Sequence, residues 1–417
     1  MKELFLNAAD RIGKILDCFE FKLRSVTGPQ HFSREGGKLG FKNTVLILLN
    51  FIKKTQTIEL DNFYKITGAD VNVSKQAFSE ARQQIEPMAI KELFDVALED
   101  VPHTALATFK GYTVVGIDGS TIALDNVPGL IEHFGRSGPK STSCTGRISI
   151  ACDTVNGIIL DAAICEYAKG ERQLATEHVE NVIKLGIEKP LFTMDRGYAG
   201  KKLLSQIDDA GGKYILRVRS RWMQRLVQGT KSGEWGSFTY NNKTYRVRVI
   251  KLTTPLDGEL ILFSNVAEFS EEDFRQAYEL RWPVETKYDV IKNKLQLENF
   301  TGKTVISVKQ DFWATMLLAN LLAFAKLETD KRITENDRLK ENKHQYQANT
   351  NILIGKLKDN LILMLLCDDP IKRHQMFEAI IERVAKNGKV PKTRNKSSPR
   401  KSKRQKKKFN YCSKSAL

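Results

Sequence analysis

Tyr278, Arg281, Glu285 and Lys292 follow one another at intervals of three, four and seven residues in the segment YELRWPVETKYDVIKNKL. On a regular helix, at about 100° per residue, they fall within an arc of about 60°, so one face would carry a phenol, two cations and a carboxylate. A carboxylate can ligate a hard metal ion through oxygen, Arg and Lys beside it can clamp the phosphates of a bound strand, and Tyr can hydrogen-bond or stack. Pro283 lies inside the run and removes a backbone donor, so the helix is expected to kink there or to restart with Pro in its first turn. Glu285 and Lys292 lie beyond Pro283 and keep a shared face. By spacing alone, an ordinary salt-bridged amphipathic helix is the better explanation of the pattern.

Two further carboxylates stand in suggestive places: Asp118 in IDGST and Asp195 in MDRGYAG, each at the end of an apolar run and each soon followed by Gly. Such runs read as buried central strands, with the carboxylates at the strand C-terminal ends where open α/β sheets bind ligands. An Asp in that position is also common as a turn residue or helix cap. Taken together, two strand-end aspartates and a neighbouring helix glutamate could hold two Mg²⁺ ions about 3.5–4 Å apart, a geometry suited to in-line attack at phosphorus. One ion would activate water or a DNA 3′-hydroxyl and the other would stabilise the leaving oxygen, so no protein nucleophile is needed.

The elements that must position these residues change character along the chain. From the start to about Leu98, apolar residues recur at helical spacing (Val45, Leu46, Leu48, Leu49, Ile52; Phe78, Ala81, Ile85), giving a helical domain over 1–105. Ser74 is placed to N-cap KQAFSEARQQI, whose outer face would carry Lys75, Gln76 and Arg82, side chains suited to DNA phosphates and base edges; a plain solvated face is the competing reading. From Tyr112 onward, the β-rich runs YTVVGID, STIAL, GRISIACDT and GIILDAAIC precede a helical stretch and then PLFTMD and KYILRVR, a mixed α/β domain over 106–330. A polar, alternating segment at about 220–258 suggests a β insertion before ELILFS. Ser270 then caps a helix, and helical periodicity runs to about Leu327. A C-terminal helical region is expected over 331–385. Residues 386–417, which include PRKSKRQKKK, are expected to be a disordered basic tail attracted to phosphates.

With 66 Lys+Arg against 49 Asp+Glu in 417 residues, the formal charge is +17, which points to a polyanionic partner, nucleic acid or an anionic membrane surface. No apolar run approaches the roughly 20 residues of a membrane span and no signal peptide is evident, so a soluble, intracellular protein is expected. A membrane-surface role is disfavoured because no strongly amphipathic basic helix accompanies the charge. The six cysteines are scattered and read as reduced thiols, leaving oxygen ligands for any metal.

With these residues and spacings, the chain resembles the bacterial insertion-sequence transposases of the DDE class, specifically the insertion-sequence-four group with its Y-R-E-K signature. Tyr278, Arg281, Glu285 and Lys292 carry that signature without a gap. The contexts of Asp118 and Asp195, the strand insertion, and the segments FKNTVLILLNFIKK and VSKQAFSEAR extend the resemblance to about Leu327, leaving the basic tail uncovered. It implies an α+β/α/β multidomain protein, with a ribonuclease-H-like catalytic core interrupted by a β-rich insertion. The implied activity is metal-dependent cleavage at the element's terminal inverted repeats and strand transfer into target DNA, that is, cut-and-paste transposition. Asp118, Asp195 and Glu285 would hold two Mg²⁺ ions, with Mn²⁺ able to substitute. Tyr278, Arg281 and Lys292 would contact the DNA end, and Arg196 a phosphate. A homodimer on paired double-stranded DNA ends, in the cytoplasm on the bacterial chromosome, is implied as well. A related nuclease without strand transfer and a transposase-derived, non-catalytic DNA-binding protein are the alternatives; the intact carboxylate set argues against the second. In one departure, a relative has a Trp just before the strand matching ELILFS, to hold a flipped base during hairpin formation, where this chain has Leu260. Trp222 or Trp235 could serve instead, or could simply pack.

Overall fold

The computed structural model describes residues 2–33, 39–50, 55–138, 141–254, 258–338 and 344–392. The N-terminal region is helical, as its apolar spacing predicts: α1 (Lys2–Asp17), α2 (Phe19–Ser25), α3 (Phe41–Leu48), α4 (Gln56–Thr67), α5 (Lys75–Gln83) and α6 (Pro87–Leu98). Local signals set the boundaries. Ser74 accepts from the Ala77 amide at 3.1 Å to open α5, Pro87 occupies the first turn of α6, and Gly68, at φ +70°, lets α4 stop in the left-handed conformation that side chains resist.

The central region runs β1 (Thr113–Ala123), α7 (Pro128–Phe134), β2 (Thr145–Asp153), β3 (Ile158–Glu166), α8 (Glu171–Lys184), β4 (Pro190–Met194), α9 (Lys201–Asp209), β5 (Lys213–Val218), α10 (Gln224–Gly229), β6 (Trp235–Tyr240), β7 (Lys243–Thr254) and β8 (Gly258–Ser264). Among the described residues these strands form one mixed eight-stranded sheet in the order β3-β2-β1-β4-β5-β8-β7-β6. β1, β4 and β5 are parallel, β2 and β3 form an antiparallel flank on one side, and β8, β7 and β6 form another on the far side. The expected β insertion does not stand apart from the core. β7 pairs along β8 from Arg248↔Ser264 to Thr254↔Gly258 and thereby lengthens the sheet.

The chain ends in α11 (Glu271–Glu279), α12 (Pro283–Asp289), α13 (Val305–Arg338), β9 (Tyr346–Ala348), α14 (Thr350–Leu366), α15 (Pro370–Asn387) and β10 (Lys389–Pro391). A capping box, in which the Ser270 hydroxyl accepts from the Asp273 amide and the Asp273 carboxylate accepts from the Ser270 amide, starts α11. The long α13 is the spine on which α1, α6, α14 and α15 pack, and the Phe5 and Phe377 rings stack at 4.3 Å to tie α1 to α15. Asn320 of α13 both donates to and accepts from the Ile159 backbone at 2.8 Å, which satisfies the edge of β3 and docks the helical body there. The basic tail begins later than expected: α15 continues to Asn387 and β10 pairs with β9, and residues 393–417 lie outside the described residues. No described helix is long and apolar enough to cross a membrane.

Candidate active site at the open edge of β1

β1 and β4 lie side by side in parallel register, from Thr113↔Pro190 to Gly116↔Thr193. Two residues further along the same register, Asp118 comes level with Asp195. β4 has ended by then at Met194, and Asp195 turns the chain away by capping a short 3-10 turn, Arg196–Tyr198, its carboxylate accepting from the Gly197 amide. Asp118 is not at a strand end, contrary to expectation. β1 runs on to Ala123, paired beyond Gly116 with no strand but β2 among the described residues, with Asp118 opposite Ile150. The crevice therefore opens because β4 is short, and a neighbouring strand that stops early exposes Asp118 as a strand end would.

Strand alternation decides which face the carboxylates share. Val114 and Leu191 belong to the apolar cluster under α11 that includes Phe274 and Tyr278, whereas Val115, Ile117, Phe192 and Met194 belong to the cluster on the other face. Asp118 and Asp195 are even-numbered steps from Val114 and Leu191, so both face α11 and α12. Glu285 stands in the first turn of α12, which Pro283 restarts. Gly116 lets this helix come down onto the strand: a Cβ there would lie 2.7 Å from Thr154 Cγ2 and 3.4 Å from Val284 Cβ. Tyr288 of α12 donates its hydroxyl to the Asp118 carbonyl at 2.7 Å, and Ser149 donates to the same oxygen at 3.2 Å. Neither Gly116 nor Tyr288 was singled out from the sequence, although both lie within three residues of a flagged carboxylate.

The electrostatics show that the three carboxylates share one field. Burial pushes the Asp118 carboxyl up to about 6; Arg281 and the Gly119 amide oppose the rise, and Glu285 and Asp195 add to it by repulsion. Arg281 donates to Glu285 at 3.1 Å and is itself only 5% exposed. Its guanidinium lies 5.8 Å from the Tyr278 ring and 5.1 Å from that of Trp282, and its Nε is buried without a hydrogen-bond partner. Crowded, half-buried carboxylate oxygens are the donor set of a hard divalent cation, and their mutual repulsion is what such an ion relieves. As the side chains stand, no three His, Cys, Asp or Glu among the described residues are gathered closely enough to hold one ion; Glu285 is turned to Arg281 and Asp195 to the Gly197 amide. The donors fit a divalent cation in type and neighbourhood, and Arg281 is the counter-charge in this arrangement.

The other flagged residues divide sharply. Tyr278 and Arg281 are buried, and the single helical face drawn through Tyr278, Arg281, Glu285 and Lys292 is broken twice, at Pro283 and by a π-helical stretch over Val290–Lys294. Lys292, within that stretch, donates to Ser120 Oγ at 2.9 Å and to the Thr121 carbonyl, so it grips the far half of β1. Arg196 is exposed beside Asp195, and Lys75 and Gln76 are exposed on α5. Arg82 corrects the expectation of an outward DNA contact: it is 1% exposed and bonded to Thr301, Ser307, Gln310 and Asp311 around the start of α13. Leu260 is buried within β8. Trp222 packs on Phe263 at 5.5 Å between ring centroids, whereas Trp235 is 36% exposed.

Comparison with known proteins adds two findings. The family model described as the transposase DDE domain matches residues 109–321, a span that begins just before β1, ends within α13 and contains all three carboxylates. Among solved structures, the piggyBac transposase in a synaptic complex with hairpin DNA is similar, with 12% sequence identity and a TM-score of 0.44 over 95% of this chain and 86% of that one. No curated protein matches the sequence.

Proposed function

Because the chain belongs to the transposase DDE domain family, we propose that it is a DNA transposase whose metal-holding carboxylates are Asp118, Asp195 and Glu285. The observation that carries this reading is the β1–β4 register, which brings Asp118 on β1 level with Asp195 just past the end of β4, beneath the helix that bears Glu285. Two Mg²⁺ ions bound by these side chains would supply an activated water or 3′-hydroxyl and neutralise charge on the leaving oxygen. Arg281, held within reach of Glu285, is aimed at the phosphate that the carboxylates would otherwise repel. Lys292 and Tyr288 brace β1 against α12, and Gly116 sets the depth of that helix. Arg196, exposed beside Asp195, completes the grip on the DNA end, Tyr278 backs Arg281 from the apolar cluster under α11, and Lys75 and Gln76 on α5 contact DNA from the helical region over 1–105.

The finer reading is a member of the insertion-sequence-four group, supported by the uninterrupted Y-R-E-K spacing. A ribonuclease-H-like core over 106–330 is supported by the run β3-β2-β1-β4-β5 with β2 antiparallel to its neighbours. Cut-and-paste transposition by a homodimer on paired ends follows from the same likeness. The test is incubation of the purified protein with Mg²⁺ or Mn²⁺ and DNA that bears the element's terminal repeats. Cleavage at the repeat followed by joining to a second duplex is expected, and Glu285→Gln should abolish both steps while leaving binding. Robust activity in that variant overturns the site, and cleavage with no joined product makes the protein a nuclease.

A further inference from the structure

β5 is parallel to β4, with Met194↔Leu216, so the chain beyond Val218 leaves the sheet at the same edge as Asp195. That segment is strongly basic: no acidic residue occurs from 213 to 232. Arg219, Arg221, Arg225 and Lys231 are exposed, and no ion pair is formed by any of them among the described residues. Some arginines elsewhere on the surface are paired, as in Arg24–Glu92 and Arg11–Asp100, and those with no ion pair among the described residues, such as Arg136 and Arg383, do not form so dense a cluster in the sequence. The neighbouring β6–β7 ladder adds Arg246, exposed, with its guanidinium 4.8 Å from the ring centroid of the exposed Trp235. Crowded, uncompensated cations repel one another and raise the local concentration of a polyanion.

We propose that Arg219, Arg221, Arg225, Lys231, Arg246 and Trp235 form a sequence-independent cradle for the phosphate backbone of duplex DNA running on from the carboxylate site. The inference rests on the transposase reading and adds to it a second, separate grip. The helical body with α5 docks through α13 at the β3 edge, whereas these cations lie beyond β5 on the other half of the sheet. They sit on a loop, on the six-residue α10 and on the β6–β7 hairpin at the far edge of the sheet. Neither the loop nor the short α10 offers a long recognition helix to seat in a major groove, and the contact proposed is with phosphates, with no base readout. Two exposed grips on either side of the carboxylates would hold a duplex on both sides of the phosphate being attacked.

The test compares the full-length protein with an Arg219→Ala/Arg221→Ala/Arg225→Ala variant by fluorescence anisotropy. The probes are a duplex of arbitrary sequence and a duplex ending in the terminal repeat. Each lost phosphate contact lowers the slope of log affinity against log salt by about 0.9, so a fall of about 2–3 is expected, equal on both duplexes. A charge-matched control, Lys372→Ala/Arg383→Ala/Lys386→Ala on the exposed side of α15, should keep most of the wild-type slope. An unchanged slope in the arginine variant, a loss confined to the repeat-bearing duplex, or an equal loss in the control would each overturn the proposal. A protein that binds through these arginines yet neither cuts nor joins contradicts the catalytic reading alone. One that cuts and joins with an unaltered slope in the variant contradicts the cradle alone.

Discussion

Two arginines buried in this molecule keep very different company. Arg82, at the joint between α5 and α13, uses its whole guanidinium: Nε donates to Gln310 at 2.9 Å, Nη2 to the Ser307 carbonyl at 3.0 Å and to Asp311 at 2.8 Å, and Nη1 to Thr301. Asp311 and Gln310 are themselves bonded onward to the backbone of Thr301, Arg82 and Ile85. Arg281, at the carboxylate site, binds Glu285 and leaves Nε unpaired, beside an Asp118 whose protonated form burial favours. A fully bonded buried charge fixes one arrangement, whereas an incompletely bonded one stores the drive to take up another partner. The Arg82 joint has the bonding of a structural contact and the Arg281 site that of the proposed functional one, and substitutions should separate them.

The largest separation is expected from Asp118→Asn. Turnover should fall by about 10⁴-fold or more, as when a residue of a cooperating catalytic set is lost. The unfolding temperature without metal should hold or rise, because a carboxylate that burial penalises has been removed. A proportionate loss of stability would erase the contrast. Arg82→Met should do the reverse, costing about 3 kcal/mol in urea unfolding by stranding the carboxylate of Asp311, while the folded fraction keeps near-normal turnover. Loss of catalysis without loss of stability there would make Arg82 part of the site.

Gly116→Ala sharpens the comparison, because it disturbs the site through packing alone. The new methyl meets Thr154 Cγ2 and Val284, so α12 should lift at a cost of about 1–3 kcal/mol. The rate of cleavage should fall while DNA affinity holds, and adding Thr154→Ser should recover part of both losses. The smallest effect is a pH dependence of ion binding. Burial raises the Asp118 carboxyl from its ordinary value of 3.8 to about 6 in the folded protein, so its ionisation destabilises the metal-free fold as pH rises through that window, and the penalty is complete above about 6. A divalent ion needs the ionised form. The increase in unfolding temperature on adding Mg²⁺ should therefore be full near neutrality, fade as pH falls through about 6, and be absent in Asp118→Asn.

Much of this arrangement was legible in the residues. Apolar runs ahead of Asp118 and Asp195 gave β1 and β4, and the capping signals at Ser74 and Ser270 opened α5 and α11 where expected. Long-range pairing was not legible. Nothing near Asp118 reveals that the pairing of β4 with β1 stops two residues short of it, which is why Asp118 reads as a strand end and is instead mid-strand. Arg82 looks solvent-facing on a helical wheel because its partner Asp311 lies 229 residues away. The ideal wheel also carried Lys292 onto the face of Glu285, whereas Pro283 and the π-helical stretch shift its position and send its amine to Ser120. Tyr288 went unnoticed because an aromatic on an amphipathic helix signals packing, and only the fold brings its hydroxyl to the Asp118 carbonyl.

The most direct test of the shared metal site is affinity cleavage of the protein backbone by Fe²⁺ substituted for Mg²⁺, with ascorbate and peroxide. The site described here predicts cuts clustered at the segments around Asp118, Asp195 and Glu285, all suppressed together by excess Mg²⁺ and by Glu285→Gln. Cuts at only one of the three segments, or a pattern unchanged in Glu285→Gln, would contradict a common site for the three carboxylates.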